Sequence, residues 1–228
     1  MNNMNLSIII PAYNAENFIN NTLEKIISSF PESEIIVIND GSNDKTLEKL
    51  QGYDNIKVIN HEKNVGKGMA LRSGFDLASK DFIIFTDADL PYGVENINKI
   101  YTLLSEGAGD VVIGYRKNFK EGFFRHITHL SVNIIIQVLF WFNIYDTQCG
   151  LKGFKKEFIK KINSGLISKN FTIDIEILYM AKILKQRVFK LNVKAGDERN
   201  ASTIKIKDII IMLIEILKIR FNKKYFKN

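Results

Sequence analysis

Short apolar runs alternate with amphipathic segments through the first half of the chain, and this alternation is the strongest constraint on its fold. Runs rich in β-prone residues are expected as strands at residues 6–10, 34–38, 56–59, 82–86 and 110–113. Segments with helical spacing lie between them, at about residues 15–30, 46–51, 69–78 and 94–104. Strands that alternate with helices are typical of an α/β fold with a mostly parallel sheet flanked by helices.

Polar residues directly follow four of the predicted strands, at Tyr13-Asn14, Asp40, Gly66-Lys67 and Asp87-Asp89. In an open parallel sheet, ligands bind in the crevice at the carboxyl ends of the strands. We therefore expect these four groups of residues to converge on one edge of the sheet.

Asp87 and Asp89 end the apolar run that begins at Phe82, and Pro91 then prevents the strand from continuing. Mg²⁺ and Mn²⁺ commonly take one or two carboxylates and complete their coordination with phosphate and water. A diphosphate bound to such an ion is a better leaving group, because the ion absorbs the charge that develops. The same spacing also fits a solvated turn in which Asp89 caps the following helix.

Lys67 lies between two glycines and is a candidate for neutralising a phosphate, since glycine permits a close backbone approach. The alternative is a glycine-rich turn with a solvated lysine. The full phosphate-loop pattern and G-x-G-x-x-G are both lacking, so a dinucleotide cofactor is not expected. Asp40 either accepts hydrogen bonds from a nucleobase or a ribose, or stabilises its own turn.

The pattern changes after Gly114. A basic group (Arg116, Lys117, Lys120 and Arg125) precedes an apolar segment at residues 127–145. Polar residues interrupt that segment, so it is interpreted as an interfacial or buried helix and not as a membrane span. A polar, glycine-containing stretch at 146–154 follows, then a helix at 173–184, a strand at 188–193 and a polar loop at 197–202.

The charge is concentrated at the C-terminal end of the chain. The formal net charge is +7, and residues 205–227 alone carry seven basic and two acidic residues. This tail is helical by periodicity to about residue 220, with one very apolar face. No nucleic-acid module or base-stacking pattern is present, so we expect no nucleic acid as a partner. A membrane surface is the preferred partner, and a buried helix with a solvated lysine tail is the alternative.

The single cysteine, Cys149, excludes an intramolecular disulfide and suits a reducing compartment. The N-terminus lacks the charged and apolar regions of a signal peptide. These features predict a cytoplasmic protein that associates peripherally with a membrane.

Six motifs, taken in this order, resemble the inverting family 2 glycosyltransferases of the GT-A fold. More narrowly, they resemble the polyprenyl-phosphate sugar transferases that include the dolichyl-phosphate glucosyl- and mannosyltransferases. The motifs are PAYNAE at 11–16, NDGS at 39–42, NVGKG at 64–68, DADL at 87–90, DTQCGLK at 146–152 and IDIEIL at 173–178. The first four mark the superfamily, and the fifth is the specific one. The likeness runs from about Leu6 to Tyr225.

The resemblance implies a metal-dependent enzyme that transfers a hexose, with inversion, from a nucleotide sugar to a polyprenyl (dolichyl or undecaprenyl) phosphate. UDP-glucose is the expected donor and GDP-mannose the alternative. Transfer to a soluble glycan, or a membrane-binding scaffold on a degenerate transferase fold, are further alternatives. A strong base is not required, because a phosphate monoester has its second pKa near ~6 and is already anionic at neutral pH.

The resemblance also implies three groups of site residues. The positions that match the donor site are Pro11, Ala12, Tyr13, Glu16, Asp40, Lys67, Asp87, Ala88 and Asp89. Among them, Asp87 and Asp89 match the metal motif, and Mg²⁺ or Mn²⁺ is the implied cofactor. The positions that match an acceptor-phosphate or donor-diphosphate site are Arg116, Arg125, Arg199 and Ser202.

Asp146 matches a position in the acceptor-side loop and Asp174 a position near the catalytic centre, and the resemblance implies that each acts as a general base or orients the sugar or the acceptor arginines. The family usually carries two aspartates where this chain has Asn39-Asp40, and the retained Asp40 is expected to contact the base. A single domain at 1–228 is expected to comprise a nucleotide-sugar half (1–115), an acceptor half (116–204) and a basic amphipathic tail (205–228).

Overall fold

The computed structural model describes residues 4–116, 134–142, 144, 146–194, 196 and 206–226. Within these residues seven strands form one sheet in the order β3-β2-β1-β4-β6-β5-β7. The strands are β1 Leu6–Ala12, β2 Glu34–Asn39, β3 Lys57–Asn60, β4 Phe82–Thr86, β5 Val111–Tyr115, β6 Leu151–Lys155 and β7 Val188–Asn192. Strand β6 runs antiparallel to β4 and β5, and the other neighbouring pairs are parallel. The predicted mostly parallel α/β sheet is confirmed.

Helices cover both faces of the sheet. They are α1 Ile19–Ser29, α2 Thr46–Leu50, α3 Lys67–Leu77, α4 Gly93–Ser105, α5 at residues 134–140, α6 Lys156–Ile162, α7 Ile173–Ile183 and α8 Ile206–Arg220. Apolar side chains of α1 and α4 pack on one face of the sheet, and those of α3, α6 and α7 pack on the other. The helical spacing of Ile19, Leu23 and Ile26 explains the first contact, since all three are fully buried.

A third apolar cluster joins α5, α7 and α8. Its buried members are Ile136, Phe140, Ile175, Tyr179, Ile216, Ile219 and Tyr225. The tail predicted to be helical to about residue 220 therefore contributes one face to the folded body. Among the described residues, no helix is both long enough and apolar enough to cross a bilayer.

The structure differs from the sequence-based expectations at several elements: α1 begins at Ile19 and β5 ends at Tyr115, and larger differences concern β6, α6 and β1. Neither β6 nor α6 is predicted by the local pattern, which indicates only a polar stretch at 146–154. Strand β1 continues through Pro11 to Ala12, beyond the predicted end at Ile10, because β2 still pairs with it there. The last pair between β1 and β4 is Ile9 with Phe85, so the missing N–H of Pro11 interrupts no ladder with β4.

The position of β6 determines what meets at the carboxyl edge of the sheet. Because β6 is antiparallel to β4, its first residue, Leu151, pairs with Thr86, the last residue of β4. Residues just before β6 therefore lie beside residues just after β4. The division of the chain into halves at 115 and 204 stays a prediction.

Candidate active site

Lys67 and Asp87 form an ion pair at the carboxyl edge of the sheet. Asp87 follows β4 directly, and Lys67 is the first residue of α3. The Lys67 Nζ lies 2.6 Å from Asp87 Oδ1 and 3.9 Å from Asp174 Oδ2. Burial alone would lower the pKa of Lys67, but the two carboxylates outweigh it and raise that pKa above its ordinary value. Lys67 is therefore a fixed positive charge at this edge.

Asp174 extends this pair into a buried network of alternating charge. Its side chain is 2% exposed and accepts a hydrogen bond from the ammonium of Lys152, which is fully buried. Lys152 also donates to the carbonyl of Cys149 at 2.6 Å. Two lysines and two aspartates thus balance one another in the order Asp87, Lys67, Asp174 and Lys152, which fits the rule that buried charges are paired.

Gly150 lets the backbone before β6 approach Asp87 closely. A Cβ at Gly150 would lie 1.8 Å from Asp87 Oδ2 and 2.4 Å from its Cγ, distances that no side chain could occupy. Because β6 is antiparallel to β4, this approach follows from the strand register. The glycine therefore makes the room in which the Asp87 carboxylate lies.

Arg116 and Asp146 form a second ion pair on the same side of β6. The guanidinium donates to both carboxylate oxygens, with Nε 2.6 Å from Oδ2 and Nη2 2.7 Å from Oδ1. The Arg116 backbone N–H also donates to Oδ2 at 3.0 Å. Burial alone would lower the pKa of Arg116, but the hydrogen bonds and the charge of Asp146 outweigh burial and raise that pKa. Such a bidentate pair fixes the orientation of the guanidinium plane.

Asp40 is buried and organises the loop that precedes Lys67. Its carboxylate accepts the backbone N–H groups of Val65 at 3.1 Å and Gly66 at 2.9 Å, and His61 Nδ1 lies 2.8 Å from Oδ1. These contacts stabilise the loop at residues 61–66, and not the turn at 39–42 that contains Asp40 itself. A contact between Asp40 and a nucleobase stays a prediction.

The remaining donor-side positions occupy different environments around this edge. Ala12 and Ala88 are buried in the core, and Pro11 is partly buried at the end of β1. Tyr13 is 46% exposed. Glu16 accepts the N–H of Lys45 at 3.0 Å, so its carboxylate lies at the start of α2. Their roles as donor-binding residues stay predictions.

Three predicted acceptor-side residues, Arg125, Arg199 and Ser202, lie outside the described residues. The same is true of Lys117, Lys120, His126 and His129, and of residues 127–133 of the predicted apolar segment. Residues 134–140 of that segment are helical, as expected.

Two residues of the site, Gly150 and Lys152, belong to the DTQCGLK motif, but the sequence assigns neither of them a role. The available signal was a lysine within an otherwise apolar stretch, Leu151 to Phe154, where a charge is costly unless it is paired. Sequence alone could not name Asp174 as the partner of Lys152, because 22 positions separate them.

The two carboxylates at the end of β4 suit a hard divalent cation. Asp89 is exposed, and the side chain of Asp87, which lies in the space that Gly150 leaves, is 35% exposed. Among the described residues, no group of three histidine, cysteine or acidic side chains could hold a metal. This donor set fits Mg²⁺ or Mn²⁺ with few protein ligands, and it does not fit a structural zinc site.

The sequence matches the family model described as glycosyl transferase family 2 over residues 7–163. It is 30% identical to a dolichyl-phosphate beta-glucosyltransferase of Trichomonas vaginalis, over 94% of this chain and 72% of that protein. It is 28% identical to a dolichyl-phosphate beta-glucosyltransferase of Dictyostelium discoideum, over 97% of this chain and 75% of that protein.

Among solved structures, the fold is similar to glucosyl-3-phosphoglycerate synthase of Mycobacterium tuberculosis, crystallised with Mn²⁺, UDP and glucosyl-3-phosphoglycerate. The TM-score is 0.74 at 18% identity, covering 95% of this chain and 80% of that chain. At this identity, the similarity shows a shared fold, which the sequence motifs predicted as GT-A.

Proposed function

The chain belongs to glycosyl transferase family 2, and from that membership we propose that this glycosyltransferase moves glucose from UDP-glucose to a polyprenyl phosphate with inversion. The observation that carries the proposal is the Lys67 ammonium held between Asp87 and Asp174 at the carboxyl edge of the sheet. A fixed cation at this edge matches the developing negative charge of a departing diphosphate. The relatives named for dolichyl phosphate and glucose support the choice of acceptor and sugar.

The proposed reaction is an in-line displacement at the anomeric carbon. An oxygen of the acceptor phosphate forms the new bond to that carbon, while the bond from the carbon to the diphosphate oxygen breaks. The nucleoside diphosphate leaves with the electron pair, and Lys67 compensates its added charge. No protein base is needed, because the attacking phosphate oxygen carries no proton at neutral pH.

Asp87 and Asp89 would hold Mg²⁺ or Mn²⁺ at the end of β4. When bound, the ion would neutralise the diphosphate and so improve it as a leaving group. The residues of this chain fix the carboxylate that would bind the ion: Gly150 leaves the space in which the Asp87 carboxylate lies, and Lys67 donates to Asp87 Oδ1.

On the acceptor side we assign Arg116 to phosphate binding and Asp146 to its orientation. Both oxygens of Asp146 accept hydrogen bonds from Arg116, so this carboxylate is better placed to fix the guanidinium than to remove a proton. A similar argument applies to Asp174, which is buried between Lys152 and Lys67. Both aspartates then contribute to catalysis by positioning cations.

A lipid-linked acceptor requires the enzyme to reach a membrane surface, and α5 and α8 provide an apolar surface that suits it. Large apolar side chains on this surface are strongly exposed: Ile134 54%, Val138 67%, Trp141 80%, Ile210 54%, Ile214 48%, Leu217 48% and Phe221 69%. Lys218 and Lys224 are exposed beside them and would attract anionic headgroups. We propose that this surface docks peripherally on an anionic bilayer.

The donor and acceptor are tested by one panel. Purified protein is incubated with radiolabelled UDP-glucose or GDP-mannose and a short polyprenyl phosphate, with and without Mn²⁺, and the lipid is extracted into organic solvent. Label from UDP-glucose in the organic phase, dependent on Mn²⁺, supports the proposal. Organic-phase label from GDP-mannose alone would show that GDP-mannose is the donor, and label confined to the aqueous phase would refute the lipid acceptor.

The metal role is tested by Asp89→Asn, with Asp54→Asn as the matched control. Asp54 is exposed in the turn before β3, so the same chemical change there leaves the sheet edge untouched. We expect Asp89→Asn to weaken Mn²⁺-dependent UDP binding by at least about tenfold and Asp54→Asn to leave it unchanged. Equal binding by both variants would contradict the assignment of Asp89 as a ligand.

A further inference from the structure

The loop at residues 166–172 is held in place by two carboxylates that belong to other elements. Glu176 of α7 is fully buried and accepts the backbone N–H groups of Ile167 at 2.8 Å and Ser168 at 2.9 Å. Glu215 of α8 accepts the side-chain amide of Asn170 at 3.1 Å and the hydroxyl of Thr172 at 2.5 Å. The C-terminal helix therefore provides half of this support.

The 166–172 loop in turn fixes the backbone at the start of α3. The carbonyl of Lys169 accepts the N–H groups of Gly68 at 2.8 Å and Met69 at 3.2 Å. The contact is so close that a Cβ on Gly68 would lie 2.7 Å from the carbonyl oxygen of Ser168. The glycines on either side of Lys67 thus admit a neighbouring segment of the protein itself.

Gly66, on the other side of Lys67, lies equally close to the 166–172 loop. It has a φ of +99°, and a Cβ there would lie 2.4 Å from both Asn170 Oδ1 and the Lys169 carbonyl oxygen. Asn170, which Glu215 holds by its amide nitrogen, is therefore in contact with the residue just before Lys67. A shift of Asn170 would be transmitted directly to the backbone of residues 66–68.

Helix α8 is anchored firmly enough to serve as this support. Ile216 and Ile219 are fully buried, and the hydroxyl of Tyr225, beyond the helix, donates to Glu176. Arg220 donates from Nε to the Leu139 carbonyl at 2.7 Å. The helix is thus held along the stretch that directly follows Glu215.

We infer that Glu215 is a positioning residue for the donor site. It holds Asn170 and Thr172, the loop holds Gly66 and Gly68, and these set the position from which Lys67 reaches Asp87. The inference depends on the proposed function for one step only, that Lys67 contributes to diphosphate binding. No contact between Glu215 and the donor is implied.

The test compares Glu215→Ala with Glu215→Gln and with Glu106→Gln, a matched change at an exposed residue after α4. UDP binding in the presence of Mn²⁺ is measured by calorimetry, and donor kinetics are measured in detergent with a short polyprenyl phosphate. We expect Glu215→Ala to raise the UDP Kd by about five- to tenfold and to lower kcat/KM for the donor by at least that factor, with part of the loss in kcat because Lys67 also compensates the charge of the leaving group. Glu215→Gln keeps an acceptor oxygen and should fall between Ala and wild type, and Glu106→Gln should match wild type.

Hydrogen exchange provides a readout that needs no ligand. Loss of Glu215 should speed amide exchange at residues 66–70 and 166–172 while strands β1 and β4 keep wild-type protection. If Glu215→Ala does not fold, Asn170→Ala removes the same hydrogen bond from the side of the loop and should give the same pattern.

The two proposals fail in different ways. If wild-type protein does not bind UDP, the proposed donor is wrong, and the exchange rates at residues 66–70 still decide whether Glu215 holds this backbone. If wild type binds UDP but Glu215→Ala and Asn170→Ala bind it equally well, with unchanged exchange at residues 66–70, the positioning role is refuted.

Discussion

Replacing Lys152 with methionine would leave the buried carboxylate of Asp174 without its nearest cation. Lys152 is fully buried, Asp174 is 2% exposed, and methionine fills a similar volume without a donor. Removing one partner of a buried ion pair costs about 3–5 kcal/mol. Because Lys67 still lies 3.9 Å from Asp174, we expect the lower end, about 3 kcal/mol. For a chain of this length, that corresponds to a fall in Tm of about 6–12 °C.

The assay is urea unfolding followed by circular dichroism, with Lys155→Met as the control. Lys155 lies on the same strand, and its side chain is 36% exposed in an ion pair with Asp110 at 2.9 Å. Asp110 keeps a second cation in Arg187, 3.0 Å away. An exposed pair of this kind contributes less than about 1 kcal/mol, so the control should lower the midpoint only slightly at the same m value.

A double variant separates loss of charge pairing from loss of packing. Lys152→Met combined with Asp174→Asn removes the uncompensated charge, so it should be more stable than Lys152→Met alone. If Lys152→Met lowers the free energy of unfolding by no more than Lys155→Met does, the buried network does not stabilise the fold. If the double variant loses the sum of the single losses, packing and not pairing explains the role of Lys152.

Three further variants test other parts of the structure. Gly150→Ala should reduce kcat by about 100-fold, because the added Cβ would displace the Asp87 carboxylate by more than 1 Å. Turnover at the wild-type rate would show that the position of this carboxylate does not depend on a glycine at residue 150. Glu34 has its pKa lowered from 4.5 to about 2, because hydrogen bonds from Lys57, Ser7 and Ser79 outweigh the opposing effect of burial. Glu34→Gln should therefore lower the free energy of unfolding by about 2 kcal/mol at pH 7, and by progressively less as the pH falls from 4.5 towards 2. Urea unfolding at several pH values measures this, and a loss that does not change with pH would contradict it. The double variant Trp141→Ser, Phe221→Ser should reduce sedimentation with anionic vesicles and leave UDP binding unchanged. Unchanged sedimentation would contradict the proposed docking surface.

The convergence of the site could be predicted from the sequence because it depends on strand direction alone. Polar residues that follow parallel strands must meet at one edge, and the Asp40 carboxylate does reach the N–H of Gly66 while Lys67 reaches Asp87. Strand direction predicts that Lys67 and Asp87 lie at the same edge, whereas their ion pair also depends on the 166–172 loop and on Gly150, which are distant in the chain.

The part that could not be predicted depends on contacts between distant segments. Strand β6 contains Lys152 and Gly153, which weaken any local strand signal. Gly153 is explained only by the packing of α4, because a Cβ there would lie 2.3 Å from Ile100 Cγ2. Lys152 is explained only by Asp174 on α7. Once β6 is in place, its antiparallel direction brings Gly150 to Asp87, so the missed strand completes the site.

Helix α8 has two faces with separate roles, and this determines how its function can be tested. Its outward face exposes Ile214 and Leu217, which suit a bilayer, while Glu215, between them in the chain, holds the loop beside Lys67. Deleting the whole tail would remove both faces, so a loss of activity could not be attributed to membrane docking. Substituting outward residues should affect vesicle binding alone, and substituting Glu215 should affect UDP binding alone. If either change affected both properties, the two faces would be coupled, and bilayer contact would itself influence the position of Lys67.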